Sequence, residues 1–399
     1  MPRWISFAGL FVMVFLAWLL SDNRRKMNWR LIVSGIILQL GLAVIILHTI
    51  PGQYIFNGIR ILITRLIGFS EAGSAFVFGE GFKEHFFAFS VLPTIIFVSS
   101  LMTVLFHLGI LQKIVEFMAK IMVYVMDTAG SESLASAANV FMGMAEAPLV
   151  IRPYIKTMTR SEIMVMMTGG MATISGATLA AYTGFGANAG HLLTASLISA
   201  PAAIVIAKIM VPETEVSQTK DTVKIKIPKQ DVNILDAACR GAIDGVKLAI
   251  NIAAVLICFI AFVALVNWLF SFLPSFRSQP FTLERILGWF CSPLAWIMGV
   301  EWKDASIVGS LLGKRTVLNE FIAYLDLVKY KDVISPRSFT VATYALCGFA
   351  NFGSVAILIG GLSTLVPERR TEFATLGFKS MIAGTLACFM TATIAGVLI

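Results

Sequence analysis

The stretch from residue 163 to residue 207 contains no Asp, Glu, Lys or Arg. A helix needs about 20 apolar residues to cross the hydrocarbon core of a bilayer, so this run is long enough to cross twice. The segment GFGANAG at 184–190 is its one strong turn signal. We therefore predict two transmembrane helices here, in a chain that folds within a lipid bilayer.

The rest of the sequence supports the same class. Charged residues make up 14% of the 399 residues, whereas soluble domains contain about 25%. Eight apolar segments are long enough to span, at about 5–21, 31–50, 86–112, 163–185, 190–211, 248–272, 339–366 and 377–399. The formal charge of +8 does not indicate a nucleic-acid partner, because the basic residues cluster beside apolar runs, where they set membrane orientation.

Orientation follows from these basic clusters. The first span is followed by DNRRKMNWR, so that end is predicted to be cytoplasmic. With eight spans, both termini then lie outside. The stretch at about 53–69 mixes Arg60 and Arg65 with many Ile and Leu residues, which predicts an amphipathic helix at the interface.

The two halves of the chain contain a related pattern. Each half has apolar pieces too short to cross, at 113–157 and 283–330, then a Glu, then a span interrupted by Gly and small polar residues. The interrupted spans contain GGMATISGAT at 169–178 and CGFANFGS at 347–354. Two such units in opposite orientation are typical of secondary transporters, whose sites lie near the bilayer midplane. The sequence therefore predicts two re-entrant helical hairpins in an inverted repeat.

Glu146 and Glu320 are the matched carboxylates of the two units. A carboxylate at membrane depth costs several kcal/mol and marks a functional site unless it is neutralised by a buried salt bridge. Each can accept hydrogen bonds from vicinal hydroxyl groups, as in a ribose, and either can carry a coupling proton. An enzyme is not indicated, because the chain has no phosphate-binding loop, HExxH or GxSxG motif.

Neutral polar residues near the two carboxylates suit a cation and an uncharged solute. Asn139 and Thr173 offer side-chain oxygens for Na⁺, and Met142 and Ile174 offer carbonyls where the backbone is unwound. The alternative is that Asn and Thr only hydrogen-bond between packed helices. In the second unit, the polar side chains that suit solute hydroxyls are Asn319, Asn351 and Ser354. Phe349 can stack on a planar ring, although a lone Phe is more often a packing residue.

At these residues the chain resembles the concentrative nucleoside transporter family. The resemblance rests on NVFMGMAEAPLVIRPY, MTRSE, GGMATISG, NEFIAY and CGFANFGSVAILIGGL, in that order along the chain. It implies a homotrimer in the lipid bilayer, a bacterial inner-membrane location, and a mobile transport domain on a scaffold. The implied domains are scaffold helices in 1–112, a first transport repeat at 113–211, a cytoplasmic loop at 212–245, a sixth scaffold helix at 246–275 and a second transport repeat at 276–399.

The resemblance also implies residue roles. Asn139, Thr173 and the carbonyls of Met142 and Ile174 correspond to the family's sodium site. Glu146 corresponds to the glutamate of the first hairpin that contacts the nucleoside. In the second repeat and the base pocket, the implied contacts are Glu320, Asn351 and Ser354 on the ribose side and Phe349 and Thr178 on the base side.

One motif departs from the family pattern. The first hairpin of the family usually contains Gly-Gln-Thr-Glu or Gly-Gln-Ser-Glu, whereas this chain has Gly143-Met144-Ala145-Glu146. The groups that hydrogen-bond the base are therefore replaced at Met144 and Ala145. An apolar pocket discriminates weakly between ligands. We expect sugar recognition to survive and base selectivity to be relaxed or altered.

The sequence thus predicts a secondary active nucleoside importer that is driven by a sodium gradient. Coupling to protons, or transport of another ribosyl or planar solute, are alternatives within the same fold. The alternative from another class is an ion channel in which Glu146 and Glu320 form acidic selectivity rings.

Overall fold

The computed structural model describes residues 2–85, 87–220, 231–272 and 280–399, and these residues form helices joined by short loops. The first nine α-helices are α1 Pro2–Leu19, α2 Trp29–His48, α3 Ile50–Phe78, α4 Leu92–His107, α5 Ile110–Met126, α6 Gly130–Asn139, α7 Ala147–Val150, α8 Arg152–Ile155 and α9 Arg160–Ala172. The others are α10 Gly176–Phe185, α11 Ala189–Met210, α12 Ile234–Phe270, α13 Leu283–Ile297, α14 Trp302–Val317, α15 Glu320–Lys329, α16 Pro336–Leu346, α17 Phe352–Leu365 and α18 Arg370–Leu398.

The predicted spans correspond to helices of this set. The span predicted at 163–185 consists of α9 and α10, and the span predicted at 339–366 consists of α16 and α17. Both are interrupted, as the Gly-rich segments predicted. The helix boundary between the two crossings of the charge-free stretch falls at Gly186, whose φ of 112° favours glycine.

Two elements differ from their predicted bounds. The cytoplasmic loop predicted at 212–245 is helical from Ile234, because α12 runs for 37 residues from an Asn233 cap. Residues 221–230 of that loop, and the end of the predicted sixth scaffold helix, lie outside the described residues. The helix predicted at 53–69 extends over the 29 residues of α3, which are long and apolar enough to cross a membrane. Its place at the interface stays a prediction.

The two halves contain the same order of elements. In the first half, α5 and α6 lead to a short tip, then to α7 and α8, and then to the broken pair α9 and α10. In the second half, α13 and α14 lead to a tip at Leu318 and Asn319, then to α15, and then to the broken pair α16 and α17. Each re-entrant hairpin therefore consists of a tip between two arms, α6 with α7–α8 and α14 with α15. The arm α6 has 10 residues, or about 15 Å of helix, which is half the thickness of the hydrocarbon core.

Burial divides the helices into an inner and an outer set. A window of 18 apolar residues within α9 and α10 is entirely buried, as is 89% of such a window in α11 and 78% of one in the segment that ends with α18. In contrast, only 17% of the α12 span is buried. The helices α1 and α2 pack on α11 and α18, whereas α12 packs along α4. By packing, α1 and α2 therefore group with the inner helices.

A buried ion pair joins the inner helices to the first hairpin. Lys208 near the end of α11 lies 2.8 Å from Glu132 Oε2 in the first turn of α6 and 3.1 Å from Glu213 Oε2. Both Lys208 and Glu132 side chains are less than a tenth exposed. Buried charges are stabilised only while they are paired, so this contact holds the arm α6 on α11.

Replacing Lys208 by Met is expected to destabilise the protein by about 3–5 kcal/mol, because it leaves the Glu132 carboxylate buried without its partner. Thermal unfolding of the detergent-purified protein measures this effect. Lys120→Met is the matched control, since Lys120 pairs with Glu116 on an exposed helix surface, where such pairs contribute about 0.3–0.5 kcal/mol. Equal decreases in melting temperature in the two variants would show that the buried ion pair does not stabilise the contact between α6 and α11.

Candidate functional site

The tip of the first hairpin is shaped by two prolines. Pro148 lies in the first turn of α7 and Pro153 in the first turn of α8, and each helix has only four residues. Proline lacks an N–H donor, and in the interior of a helix it removes a backbone hydrogen bond and kinks or breaks the helix. Ile151 between them leaves the helical region, at φ −109° and ψ 11°. The second arm is therefore two single turns, which keeps Glu146 at the tip.

The tip contacts the break between α9 and α10. The Thr173 hydroxyl donates hydrogen bonds of 2.9 Å to the carbonyls of Asn139 and Gly169. The Gly176 N–H donates to the Phe141 carbonyl at 3.0 Å. The predicted sodium residues Asn139 and Thr173 are thus brought into contact, and Met142 and Ile174 lie in the two segments that meet.

Within the part of the chain that the structure describes, the side-chain oxygen of Asn139 has no hydrogen-bond partner. Asn139 is 1% exposed, and its Nδ2 donates to the Ala135 carbonyl at 3.0 Å, but Oδ1 is buried and unpaired. A buried polar atom without a partner is costly in a native fold. A cation held by Oδ1 and by carbonyls of the unwound backbone would satisfy this oxygen, and such ligand sets hold Na⁺ in broken-helix transporters. The residues present therefore fit a sodium ion.

The second hairpin brings three of the predicted ribose-side residues together. Asn351 Nδ2 donates to Glu320 Oε2 at 2.7 Å, and Asn351 Oδ1 accepts from the Ser354 N–H at 2.8 Å. Asn351 is the N-cap of α17, so the same side chain caps a half-helix and fixes the carboxylate. Asn319 is the N-cap of α15, with Oδ1 accepting from the Ile322 N–H at 2.9 Å. Glu320 is 3% exposed. Its carboxylate is therefore buried, and the Asn351 amide fixes its orientation.

The two helix breaks adjoin each other. A Cβ at Gly348, in the break between α16 and α17, would lie 2.8 Å from the Met171 carbonyl oxygen of α9. Cys388 on α18 donates weak hydrogen bonds to the Ala172 carbonyl at 3.5 Å and to the Cys347 carbonyl at 3.6 Å. Only glycine permits this close approach of the two backbones. The cation-side cluster and the Glu320 cluster therefore lie beside two adjoining helix breaks.

The predicted base-side residues differ in burial and in their neighbours. Phe349 is half-buried and packs against the apolar core. Thr178 lies in the first turn of α10, where its hydroxyl bonds the cap residue Ser175 at 2.9 Å. Met144 is buried close to Gly170, whereas Ala145 is exposed at the tip.

Glu146 lies in a different environment from Glu320. It is exposed and lines a cavity of about 650 Å³, a volume that includes the solvent at the mouth. The cavity separates the hairpin tip from α4 and from Arg240 and Asp244 of α12, and its lining does not include Glu320. The structure therefore does not bring the two predicted carboxylates into one pocket; it places Glu146 at an opening between the inner helices and the α4–α12 pair.

Sequence reasoning missed the polar residues of α12 that face Glu146. Arg240 forms a bidentate pair with Asp231, at 2.5 Å and 2.8 Å. The hydrogen bond from Arg240 lowers the pKa of the Asp231 carboxyl, so this end of α12 is fixed to the preceding loop. Arg240 and Asp244 are four residues apart on one helix face, a pattern that was hidden because this segment was predicted to be a loop.

A second missed residue is Tyr182. Its buried hydroxyl interacts with the Glu320 carboxylate. Its ring lies 5.0 Å from Phe321 and 4.2 Å from Tyr324, centroid to centroid. Phe321 directly follows Glu320. The sequence could have indicated Tyr182, because it follows Thr178 by four residues and the two side chains therefore lie on one face of α10.

Three family sequence models match the chain. The model described as "Na+ dependent nucleoside transporter C-terminus" matches residues 191–396, and its N-terminal counterpart matches residues 8–81. Between them, a "Nucleoside recognition" gate model matches residues 88–189.

Curated relatives match along the same length. "Solute carrier family 28 member 3" of Eptatretus stoutii is 43% identical over 411 residues, which cover 99% of this chain and 60% of the relative. The chain thus spans about 60% of the length of that relative. An "Uncharacterized transporter" of Haemophilus influenzae is 39% identical, over 99% of this chain and 97% of its own length.

Solved structures share the fold. CNTnw in an inward-facing substrate-bound state is 38% identical in sequence and superposes with a TM-score of 0.93, over 100% of this chain and 98% of that chain. A doubly substituted CNTnw in an outward-facing state gives the same TM-score. The predicted class, an all-α membrane fold with broken helices and re-entrant hairpins, is confirmed.

Proposed function

Because this chain belongs to the concentrative nucleoside transporter family, we propose that it imports nucleosides by secondary active transport coupled to a sodium gradient. The observation that supports this most is the meeting of the two helix breaks. Asn139, at the first hairpin tip, places an amide oxygen that is unpaired among the described residues beside one break. Glu320, at the second hairpin tip, pairs with Asn351 of the other break. A cation would bind the Asn139 oxygen, and a solute with vicinal hydroxyls would donate hydrogen bonds to Glu320.

The proposed solute contacts are those of the second hairpin and the base side. Glu320 accepts hydrogen bonds from the ribose hydroxyls, with Asn351, Ser354 and Asn319 beside it. Phe349 and Thr178 line the base pocket, and Met144 and Ala145 border it from the first hairpin. Glu146 reaches the nucleoside when the tip of the first hairpin closes on it, since in this structure Glu146 faces the cavity toward Arg240.

The proposed sodium ligands are the side chains of Asn139 and Thr173 and the carbonyls of Met142 and Ile174. All four positions lie at the C-terminal end of α9 or at the neighbouring tip. The C-terminus of a helix carries partial negative charge, which favours a cation. A proton as the coupling ion is the alternative, with Glu146 or Glu320 as its carrier.

Movement between two access states is proposed to occur along the boundary that the cavity marks. The cavity lies between the first hairpin and the α4–α12 pair. We propose α4 and α12 as scaffold and the repeats 113–211 and 276–399 as the transport domain, with α1 and α2 packed on its inner helices. A homotrimer, a bacterial inner-membrane location and external termini remain proposals that the family membership supports.

A thermal-shift screen of nucleosides tests the binding step. Uridine and adenosine are expected to stabilise the purified protein, and to do so more strongly when Na⁺ replaces choline, because ligand and cation bind the folded state together. Saturable, concentrative uptake into vesicles would then exclude the channel alternative, since a channel cannot accumulate a neutral solute. If none of the nucleosides raised the melting temperature, the proposed substrate class would be refuted.

Restoring the family's polar pair at the tip is expected to change base selectivity. The double variant Met144→Gln and Ala145→Thr provides hydrogen-bonding groups where the chain has apolar ones, and each such bond contributes about 0.5–1.5 kcal/mol of discrimination. We expect the ratio of adenosine to uridine uptake to change about threefold to tenfold, in competition assays. Met144→Leu, which stays apolar, is the control and should keep the wild-type profile. An unchanged profile in the double variant would contradict the role of this pair.

A further inference from the structure

Three polar side chains lie on one face of α6, the first arm of the first hairpin. Glu132, Ser136 and Asn139 follow one another at spacings of four and three residues, which places them on the same side of a helix. All three are buried. Asn139 is a proposed sodium ligand near the tip, and Glu132 lies in the first turn, about 10 Å away along the helix axis. This face therefore connects the proposed ion site with the base of the hairpin.

The helix α9 packs along α6 and has polar or small residues at the corresponding positions. Thr173, at its C-terminal end, donates to the Asn139 carbonyl at 2.9 Å. One turn below, a Cβ at Gly169 would lie 3.1 Å from Asn139 Nδ2 and 3.6 Å from Ser136 Oγ. Glu162 precedes Gly169 by seven residues, so it lies on the same face of α9. We call this contact between α6 and α9 the seam, which consists of Glu132, Ser136 and Asn139 on one side and Glu162, Gly169 and Thr173 on the other.

Ser136 is the middle of the seam, and its hydroxyl has no hydrogen-bond partner among the described residues. Buried polar atoms without a partner are rare in native proteins, because each loses its hydrogen bonds to water. Since Gly169 has no Cβ, no side chain fills the space beside Ser136 on that part of α9. The Ser136 oxygen is therefore available to a cation, or to a water molecule that accompanies one.

The segment that follows α11 joins the base of α6 to the base of α9. The Thr219 carbonyl accepts from the Gly130 N–H at 3.0 Å, and the Thr219 hydroxyl lies 2.8 Å from the Ser131 hydroxyl. The same Thr219 hydroxyl lies 3.5 Å from Glu162 Oε1. Glu162 is therefore level with the first turn of α6, where Glu132 lies. This end of the seam is next to the loop that the sequence predicts to be cytoplasmic.

The base of the seam has an excess of negative charge. Lys208 lies 2.8 Å from Glu132 Oε2 and 3.1 Å from Glu213 Oε2, so one cation is shared by two carboxylates. Glu162 has no basic group within 4 Å among the described residues, and its Oε1 accepts from the Ser217 hydroxyl at 2.5 Å. A buried carboxylate without a cation is costly. The base of the seam therefore attracts a cation that leaves the Asn139 level.

The cavity beside Glu146 is a different opening. Its lining includes Glu146, Arg240 and Asp244, and it does not include Ser136 or Gly169. The cavity is wide enough to border α4 and α12, whereas the seam is closed in this structure because its polar side chains are buried. The two openings thus suit particles of different size, a nucleoside in the cavity and a single cation in the seam.

We propose that Ser136 is a relay ligand, which passes the coupling cation from the Asn139 level through the seam to the carboxylates at its base. The cation leaves when α6 and α9 separate, and the nucleoside leaves through the cavity beside Glu146. Cation and solute therefore reach the cytoplasmic side by separate routes. This inference rests on the proposed cation-coupled import of nucleosides.

Net influx and exchange of uridine separate cation release from the other steps of transport. Net influx of labelled uridine into Na⁺-free proteoliposomes under an inward Na⁺ gradient requires release of the cation inside. Exchange of labelled for unlabelled uridine, with saturating Na⁺ on both sides, does not. Ser136→Ala is expected to lower net influx about twofold to tenfold, because one oxygen ligand is lost from the path. Exchange and stabilisation by Na⁺ in thermal unfolding should match the wild type, because Asn139 and Thr173 are intact.

Two further variants control this experiment. Ser199→Ala is the matched control, because Ser199 is a buried serine of α11 that bonds the Thr391 hydroxyl at 3.0 Å, outside the seam. It should keep the wild-type ratio of net influx to exchange. Glu162→Gln removes the charge at the base of the seam and keeps the side-chain volume, so it is expected to lower this ratio as Ser136→Ala does. It decides the question if Ser136→Ala does not fold.

The outcomes distinguish a relay from a ligand and from a packing residue. Wild-type net influx in Ser136→Ala, or an equal loss of net influx and exchange, would overturn the relay, since the second result is a defect in domain movement. Loss of stabilisation by Na⁺ would also overturn it, because Ser136 would then hold the resident ion. The absence of Na⁺-driven influx in the wild type, which is measured first, would refute the proposed function and the relay with it.

Discussion

Replacing Glu320 by Gln is expected to lower nucleoside affinity by about 10- to 100-fold, because hydrogen bonds to a charged group contribute about 1.5–3 kcal/mol. The substitution keeps the side-chain volume and removes the carboxylate that Asn351 orients at 2.7 Å. A Gln amide has one acceptor oxygen and no charge, so it cannot accept one hydroxyl on each of two oxygens as a carboxylate does. Isothermal titration of the purified protein with uridine, at saturating Na⁺, measures the change.

The control for this variant is Glu301→Gln. Glu301 precedes the same hairpin arm, but it lies at the other end of α14 and pairs with Lys303 at 2.9 Å. It is expected to bind uridine as the wild type does. Stabilisation by Na⁺ should persist in Glu320→Gln, because Asn139 is intact. Wild-type uridine affinity in Glu320→Gln would remove Glu320 from the solute site.

Replacing Asn139 by Ala is expected to abolish the Na⁺ dependence of uptake and to reduce Na⁺-driven uridine influx by about 100-fold, as expected when about 3 kcal/mol of cation binding is lost. The reason is that Asn139 Oδ1 is a buried side-chain oxygen beside the helix break that has no partner among the described residues. Removing it also removes a desolvated polar atom, so the folded protein itself should not be destabilised without Na⁺. Thermal shift with and without Na⁺ measures both effects in one assay.

Ser133→Ala on the same helix is the matched control. Ser133 bonds the Thr128 hydroxyl at 2.7 Å, at the opposite end of α6. This variant loses a local hydrogen bond and keeps the proposed cation ligands, so Na⁺ should stabilise it as it stabilises the wild type. A Na⁺-dependent shift of normal size in Asn139→Ala would show that the cation binds elsewhere.

The membrane fold could be predicted from local sequence signals. The charge-free stretch, the apolar segment lengths and the Gly-rich interruptions at 169–178 and 347–354 each depend on neighbouring residues. For the same reason the broken pairs α9–α10 and α16–α17 were predicted. The sequence does not predict the start of α12, because the charged residues in its first three turns are typical of a loop. In the structure this segment is helical and packs along α4.

The arrangement of the site required the structure. Three features join residues far apart in the chain. Gly348 approaches α9, Arg240 and Glu146 line one cavity, and the Arg315 side chain of α14 donates to a carbonyl near the end of α16. From the sequence, Arg315 is one of the basic residues that could neutralise a hairpin glutamate in a buried salt bridge. Only the fold shows that its guanidinium is buried without a carboxylate partner among the described residues.

The central proposal is that nucleoside movement is coupled to a sodium gradient. Uridine uptake into proteoliposomes is measured with an imposed inward Na⁺ gradient at equal pH, and with an imposed pH gradient at equal Na⁺ on both sides. The Asn139 and Thr173 cluster predicts concentrative uptake with the Na⁺ gradient, and only equilibration with the pH gradient. Concentrative uptake driven by the pH gradient alone would contradict the sodium assignment and place the coupling on a protonated carboxylate.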